Sequence, residues 1–128
     1  MMRKIGLTLL CAGSLLTTNA FSIQYSTFKP GLAMEYELPA NDPLVISNIL
    51  FWQIKAVCVI TSENLGNPLS VKMLRKTGSV NDTLLATGES MGLTVQPGDI
   101  FNVTAESGAK VQLVNLGDKT IKATCSTV

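Results

Sequence analysis

The chain has no histidine among its 128 residues. This absence excludes a Ser-His-Asp triad, a Cys-His dyad and any metal site built on imidazole ligands. The sequence also lacks a nucleophile elbow, a phosphate-binding loop and a dinucleotide fingerprint. A hydrolase with paired carboxylates remains formally possible, because Glu35 and Glu37 share one strand face. The other candidates, Asp82, Asp99, Glu106 and Asp118, fall near turns, where such groups usually accept backbone hydrogen bonds. We therefore predict a protein that is not an enzyme and has no cofactor.

An excess of positive charge is also missing. The chain has ten Lys and Arg residues and nine Asp and Glu residues, which gives a net charge of +1. A chain without basic excess has little means of neutralising phosphates, so nucleic acid is not an expected partner. There is no Asp-x-Asp-x-Asp loop, and we predict no metal site. The alternative is calcium held by Asp99 and Asp118, which follow turns that would have to meet at one end of the fold.

The N-terminal segment has the pattern of a secretory signal peptide. A short basic start precedes an apolar run over residues 5–16 and then a region of small residues. We predict cleavage after Ala20 or Ser22, which divides the chain into a signal peptide, residues 1–22, and one domain, residues 23–128. The segment holds two basic residues and no acidic one, so its loss changes the net charge from +1 to −1.

Two other interpretations of this segment are weaker. A membrane anchor would need a longer apolar run. A lipoprotein would carry its lipid on Cys11, but Leu10 precedes that cysteine where a small residue is required. We therefore expect Cys11 to be lost with the signal peptide. The mature chain is then periplasmic or secreted and has no transmembrane segment.

Cysteine is scarce, with three residues, and only Cys58 and Cys125 remain after processing. An even number of cysteines in an oxidising compartment predicts a disulfide. A redox site would need a Cys-x-x-Cys motif or a single activated thiol, and neither is present. A bond that closes a loop of 67 residues should stabilise the fold by roughly 4 kcal/mol in the chain-entropy estimate.

Apolar and polar residues alternate between frequent turn signals, a pattern typical of half-buried strands. Leu69, Val71 and Met73, for example, share one face of a predicted strand. No segment after residue 22 has a helical period. We predict an all-β fold: one small antiparallel β-sandwich, immunoglobulin-like or jelly-roll-like, of about eight or nine short strands. The predicted strands include residues 32–38, 51–61, 69–76, 90–95, 100–105, 110–116 and 119–125, and the sharpest turn is at 96–99.

Residues 51–61 form the longest predicted strand and contain the only tryptophan. β-branched residues favour a strand over the competing helix. Trp52 and Cys58 share parity, which places the indole and the disulfide in the same core layer. From Ala56 to Ile60 both faces are apolar, which predicts an interior strand covered on both sides.

Lys72, Arg75 and Lys76 form a small basic cluster. It has two interpretations: a solvated strand face that protects a sheet edge, or a contact with a partner or an anionic envelope surface. We retain these three residues as the possible partner contact.

Two resemblances are confined to short segments. Two cysteines and one tryptophan resemble the immunoglobulin pattern, but Trp52 precedes Cys58 on the same strand, and Ala123 stands where the tyrosine before Cys125 is expected. We therefore keep the sandwich and not the immunoglobulin family. Residues 93–99 resemble the Pro-Gly-Asp turn of cupin-type jelly rolls. Cupin chemistry uses histidine ligands, so the resemblance implies a structural turn only.

The chain as a whole resembles small Sec-exported β-sandwich proteins of Gram-negative bacteria. The resemblance rests on the signal pattern, residues 49–52, the turn at 97–99 and the closing segment 123–126. It implies residence in the envelope or secretion, and it implies no activity.

We therefore expect an exported accessory protein that binds another protein, in an envelope assembly or in a host. Open sheet edges are one means of contact. An apolar patch of Phe51, Val57 and Val59, if no other layer covers it, is a second. The alternative function is a module that binds a small ligand or a glycan.

Overall fold

The structure, a computed structural model, describes residues 23–27 and 33–127. The predicted signal peptide and Cys11 lie outside the described residues. The described part of the chain forms eleven β-strands. They are β1 (Gln24–Thr27), β2 (Ala33–Leu38), β3 (Leu44–Ser47), β4 (Ile54–Ile60), β5 (Asn67–Arg75), β6 (Gly78–Val80), β7 (Thr83–Leu85), β8 (Ser90–Val95), β9 (Ile100–Ala105), β10 (Lys110–Asn115) and β11 (Ile121–Thr127).

The strands form two sheets packed face to face. The six-stranded sheet has the order β2-β11-β4-β9-β6-β7, and the five-stranded sheet has the order β1-β3-β10-β5-β8. The all-β sandwich predicted from the sequence is therefore confirmed. All pairs are antiparallel except β1 with β3, which run parallel.

The strand order identifies which of the two sandwich types the chain adopts. From β2 to β11 the chain alternates between the sheets, apart from the short β6–β7 hairpin. Four antiparallel strand pairs enclose one another in the sequence: β5 pairs with β8, β4 with β9, β3 with β10 and β2 with β11. A long hairpin folded over itself gives this order, so the topology is that of a jelly roll.

The core lies between the sheets and follows from the alternation of each strand. Leu69, Val71 and Met73 are buried on β5, which confirms their predicted common face. From the opposite sheet, Ile54 and Ile60 of β4 enter the same cluster. Successive strand residues point to opposite faces, so one face of each strand reaches the core and the other faces outward.

The predicted disulfide is confirmed. Cys58 on β4 and Cys125 on β11 are bonded, and they lie directly opposite each other in the register of two neighbouring strands. The bond therefore joins the last strand to an interior strand within one sheet. Both cysteines contact the core cluster between the sheets.

The prediction for residues 51–61 is partly wrong. The strand runs only from Ile54 to Ile60. Trp52 lies in the preceding loop and is 57% exposed, so the indole does not share a core layer with the disulfide. Aromatic residues favour strands, but this preference depends on context, and here side-chain hydrogen bonds from Asn48 hold residues 50–52 in a loop. β4 is an interior strand, yet Val57 and Val59 on its outer face are only half-buried.

One strand was missed because its sequence contains glycine. Gly78 lies outside the strands predicted above, but it begins β6, which pairs with β9 and β7. A Cβ atom at Gly78 would lie 2.7 Å from the Thr104 carbonyl oxygen. Glycine within a strand often marks such a close approach of two backbones.

The predicted turn at residues 96–99 is present. The Asp99 N–H donates to the Gln96 carbonyl over 3.0 Å, and the Asp99 carboxylate accepts from the Gln96 N–H over 2.8 Å. Gly98 has a φ of 85°, which glycine adopts at no steric cost. The turn carries the chain from β8 in one sheet to β9 in the other, so it is a crossing between sheets.

Candidate functional site

The loop of residues 48–53 carries three large apolar side chains that are exposed close together in the sequence. It connects β3 to β4 at one end of the sandwich. Its large apolar side chains point outward: Phe51 is 95% exposed, Ile49 66% and Trp52 57%. Between them, Leu50 is half-buried and packs against the core. We call residues 48–53 the apolar loop.

The side chain of Asn48 determines the path of the apolar loop. Its residue is only 1% exposed. The amide Nδ2 donates to the carbonyl oxygens of Trp52, Ala105 and Glu106 over 3.0, 3.0 and 3.1 Å. Its Oδ1 accepts from the Leu50 N–H over 3.0 Å. One buried side chain thus satisfies backbone groups of the loop and of the neighbouring β9–β10 turn.

Further bonds fasten the apolar loop to the β9–β10 turn. The Ser107 hydroxyl donates to the Leu50 carbonyl over 2.6 Å. The Asn48 N–H donates to the Ala109 carbonyl, and the Gly108 N–H donates to the Asn48 carbonyl. These contacts hold the exposed aromatic rings on a fixed backbone, which lowers the entropy lost when a partner covers them.

The exposed side chains of the apolar loop could still gain free energy if a partner buried them. Complete burial of a large apolar side chain is favourable by about 1.5–3 kcal/mol. Leu50 already gains part of this burial free energy within the fold. Ile49, Phe51 and Trp52 are more than half exposed, so much of theirs is available to a partner. Aromatic residues of this kind are enriched among those that dominate binding energy at interfaces.

A shallow groove of about 660 Å³ adjoins the loop. Ile49 forms part of its wall, together with Tyr25 of β1, Arg75 at the end of β5 and Lys110 at the start of β10. Of the described residues that line the groove, none is acidic. The groove therefore places two cations beside an apolar loop, a combination that matches an apolar contact with negative charge at its rim.

The three residues of the predicted basic cluster are all exposed. Lys72 and Arg75 lie on β5, and Lys76 follows its last residue. Arg75 is the one that lines the groove beside the apolar loop. Lys72 lies along the strand, opposite Gln112 of β10 and Ser90 of β8, away from the strand end.

Two of the carboxylates considered for catalysis or calcium, Asp99 and Glu106, accept hydrogen bonds that hold the fold. The Asp99 carboxylate accepts from the Gln96 backbone, and the Glu106 carboxylate accepts from both the N–H and the hydroxyl of Thr77. Within residues 23–27 and 33–127, no three His, Cys, Asp or Glu side chains form a group suited to a metal ion.

Tyr36 lies at the side of the sandwich near the groove. Its hydroxyl donates to the Thr27 carbonyl over 3.4 Å. Burial raises the pKa of the Tyr36 hydroxyl above its usual value of 10.0, and a hydrogen bond with the side chain of Ser26 offsets part of this rise. The folded protein therefore binds this proton more tightly than the unfolded chain does.

This difference predicts a specific loss of stability in alkali. The contribution of Tyr36 is intact below pH 10 and declines as the pH rises above it. Tyr36→Phe should remove this decline. Urea unfolding of both proteins at pH 8 and pH 11 measures it, and the free energy of unfolding should fall less in the variant. An equal fall in both would contradict the assignment.

Sequence reasoning identified only part of this site. Phe51 was proposed as a member of an apolar patch with Val57 and Val59, but the structure places it in the loop, with Ile49 and Trp52 as its exposed neighbours. The available signal was four consecutive large apolar residues at 49–52 directly after an asparagine.

The fold and this site define a disulfide-bonded jelly-roll sandwich that presents a fixed apolar loop at one end. No protein-family model matches the chain, and no curated protein matches it. Within the described residues, no helix has the length and apolar character needed to cross a membrane.

Two solved structures are similar to the chain. One is a de novo designed double-stranded β-helix, with a TM-score of 0.24 and 14% identity, covering 76% of this chain and 99% of the designed one. The other is PliG of Aeromonas hydrophila, a periplasmic lysozyme inhibitor of g-type lysozyme, with a TM-score of 0.35 and 7% identity, covering 85% of this chain and 100% of PliG. At these TM-scores neither likeness decides what this chain binds.

Proposed function

We propose that this protein is an exported, non-enzymatic accessory protein of the bacterial envelope or a secreted one, and that it acts by binding another protein. The signal pattern at residues 1–22 and the Cys58–Cys125 disulfide support export, because disulfides persist in oxidising compartments. The single observation that carries the proposal is the apolar loop, which exposes Phe51 and Trp52 on a backbone held by Asn48.

The chemistry of the site supports a particular kind of partner surface. Phe51 and Trp52 would insert into an apolar pocket and contribute most of the binding energy. Arg75 and Lys110, in the adjoining groove, would face acidic residues at the rim of that pocket. Lys72 and Lys76, the other residues of the predicted basic cluster, do not line the groove and would act only on a partner that also covers part of β5. The partner is thus a protein with an apolar cleft bordered by carboxylates.

Serine substitutions in the loop test this proposal. Phe51→Ser and Trp52→Ser should each weaken binding about 30-fold, because loss of such an anchor typically costs about 2 kcal/mol. The side chains are exposed, so the folded state should lose little. The mature protein is immobilised and exposed to envelope extracts of the producing cells and, separately, to host-cell extracts. A captured protein is then titrated against each variant.

Leu65→Ser is the matched control. Leu65 is also highly exposed, at 80%, but it lies between β4 and β5, at the opposite end of the sandwich. The proposal requires one protein retained in stoichiometric amount by the parent and by Leu65→Ser, and bound about 30-fold more weakly by Phe51→Ser. Equal capture by all three proteins, or no stoichiometric capture from either extract, would refute it.

A further inference from the structure

A second feature lies inside the sandwich and is independent of the apolar loop. A cavity of about 110 Å³ lies between the two sheets. Its walls come from both of them, with Leu69, Val71 and Met73 on the five-stranded side and Phe101, Val103 and the disulfide on the six-stranded side. Protein interiors usually contain few voids larger than a water molecule, so this space requires an explanation.

Small residues keep part of the cavity wall open. Ala105, Ala109 and Ala123 line it, as does Gly78. A side chain at Gly78 is obstructed, because its Cβ would lie 2.7 Å from the Thr104 carbonyl oxygen. The same Cβ would lie 3.3 Å from the sulfur of Met73. The close approach of β6 to β9 thus prevents this wall from filling the space.

The cavity lining has few groups that could hydrogen-bond to a water molecule. Among the described residues that line the cavity, the polar side chains are Tyr36, Ser79 and Thr104. The hydroxyls of Ser79 and Thr104 hydrogen-bond to each other over 2.5 Å, and that of Tyr36 donates to Thr27. A buried water needs about two to four polar partners, and apolar cavities without them remain dry.

We propose that this cavity is a binding site for one small apolar molecule, of the size of a single six-membered ring or a short hydrocarbon chain. An engineered apolar cavity of about 150 Å³ in another protein binds benzene or xenon, and 110 Å³ is of the same order. Met73 is an unbranched and adaptable side chain, which suits it to adjust to a ligand that does not fill the space evenly.

Tyr36 marks the side from which such a ligand would enter. It lies on β2, the edge strand of the six-stranded sheet, and its hydroxyl reaches Thr27 on β1, the edge strand of the other sheet. Its ring is part of the cavity wall. Entry on this side would therefore pass the Tyr36 side chain between the two sheet edges.

Benzene and benzylammonium are the probes for this site. They share a ring, but the second carries a charge that the cavity cannot hydrate or pair. In methyl NMR spectra of the wild-type protein, benzene should cause saturable shifts at Met73, Val71 and Val103, and benzylammonium should not. Absence of a saturable benzene response at these methyl groups, or an equal response to both probes, would overturn the proposal.

Filling the cavity provides the complementary test. Val103→Phe should weaken benzene binding about tenfold or more, and Val103→Leu, which adds one carbon, should weaken it less. Each variant is first checked for native-like strand content. Undiminished benzene binding in folded Val103→Phe would overturn the assignment to this cavity. If neither variant folds, the comparison of benzene with benzylammonium on the wild-type protein still tests whether the cavity binds an apolar molecule.

Discussion

Replacing Asn48 by alanine is expected to lower the free energy of unfolding by about 3 kcal/mol and to abolish partner binding. The substitution removes the donor for three carbonyl groups and the acceptor for the Leu50 N–H. A buried polar group left without a partner costs about 1–3 kcal/mol. Water entering the loop will satisfy some of these groups, so the total is less than their sum. Urea denaturation measures the stability, and titration with the captured partner measures the binding.

Asn115 provides a matched control at the other end of the sandwich. It is fully buried, and its hydrogen bonds follow the same pattern. Its Oδ1 accepts from the Gly117 N–H over 2.9 Å, two residues on, as Asn48 does with Leu50. Its Nδ2 donates to Lys119, four residues on, and to Leu38 across the fold. Asn48 has one more carbonyl acceptor than Asn115, and otherwise the two residues make the same kinds of hydrogen bond in different loops.

The two alanine variants should therefore have similar stabilities and different affinities. At a temperature where both are folded, Asn115→Ala should bind the partner as the parent does, and Asn48→Ala should not. If both variants lost affinity equally, the effect of Asn48 would be one of general stability. If Asn48→Ala bound normally, a fixed loop would not be required for binding.

Removing the disulfide is expected to destabilise the protein by about 2–5 kcal/mol. The bond closes a loop of 67 residues, and the chain-entropy estimate for such a loop is about 4 kcal/mol. The effect acts mainly on the unfolded chain, whose freedom increases when the link is lost. The double variant Cys58→Ala, Cys125→Ala avoids a free thiol and is compared with the parent by thermal and urea unfolding.

Reduction of the parent protein is the control for the lost cross-link. The reduced parent and the double variant should unfold at similar urea concentrations, since both lack the bond. Thiol labelling of the native mature protein should give no product, because Cys58 and Cys125 are bonded. An unchanged melting temperature in the double variant would contradict a stabilising role for the disulfide.

Local patterns in the sequence predicted the strands and the cross-link well. The alternation of Leu69, Val71 and Met73 places them on one face because strand geometry alone determines it. The cysteine pairing followed from the small number of cysteines in a chain predicted to be exported. The strand faces depend on residues that are close in sequence. The disulfide has one possible pairing, because only two cysteines remain after the predicted processing.

The apolar loop could not be predicted in the same way. Phe51 and Trp52 have strong strand preference and continue into the apolar run of β4. They are kept out of the strand by Asn48, whose amide donates to carbonyls 57 and 58 residues away. Contacts this distant in sequence leave no local pattern, so the strand prediction began three residues too early.

Three glycines lie in turns at which the jelly-roll chain passes from one sheet to the other. Gly88, Gly98 and Gly108 are spaced ten residues apart and all have positive φ values, of 89°, 85° and 80°. They occupy the turns before β8, β9 and β10, where the chain passes from one sheet to the other. In this chain the three glycine turns are crossings between the sheets, but glycine also occurs in hairpins within one sheet, so neither the glycines nor the strand pattern alone identifies the jelly roll.

Site-specific photocrosslinking at the apolar loop tests most directly whether this protein binds its partner there. Benzoylphenylalanine is placed at position 51 in one sample and at position 65 in another, and both are irradiated in the native compartment. Phe51 and Leu65 are similarly exposed but lie at opposite ends of the sandwich. We predict one discrete crosslinked protein from position 51 and none from position 65. The same products from both positions, or none from position 51, would contradict binding through the loop.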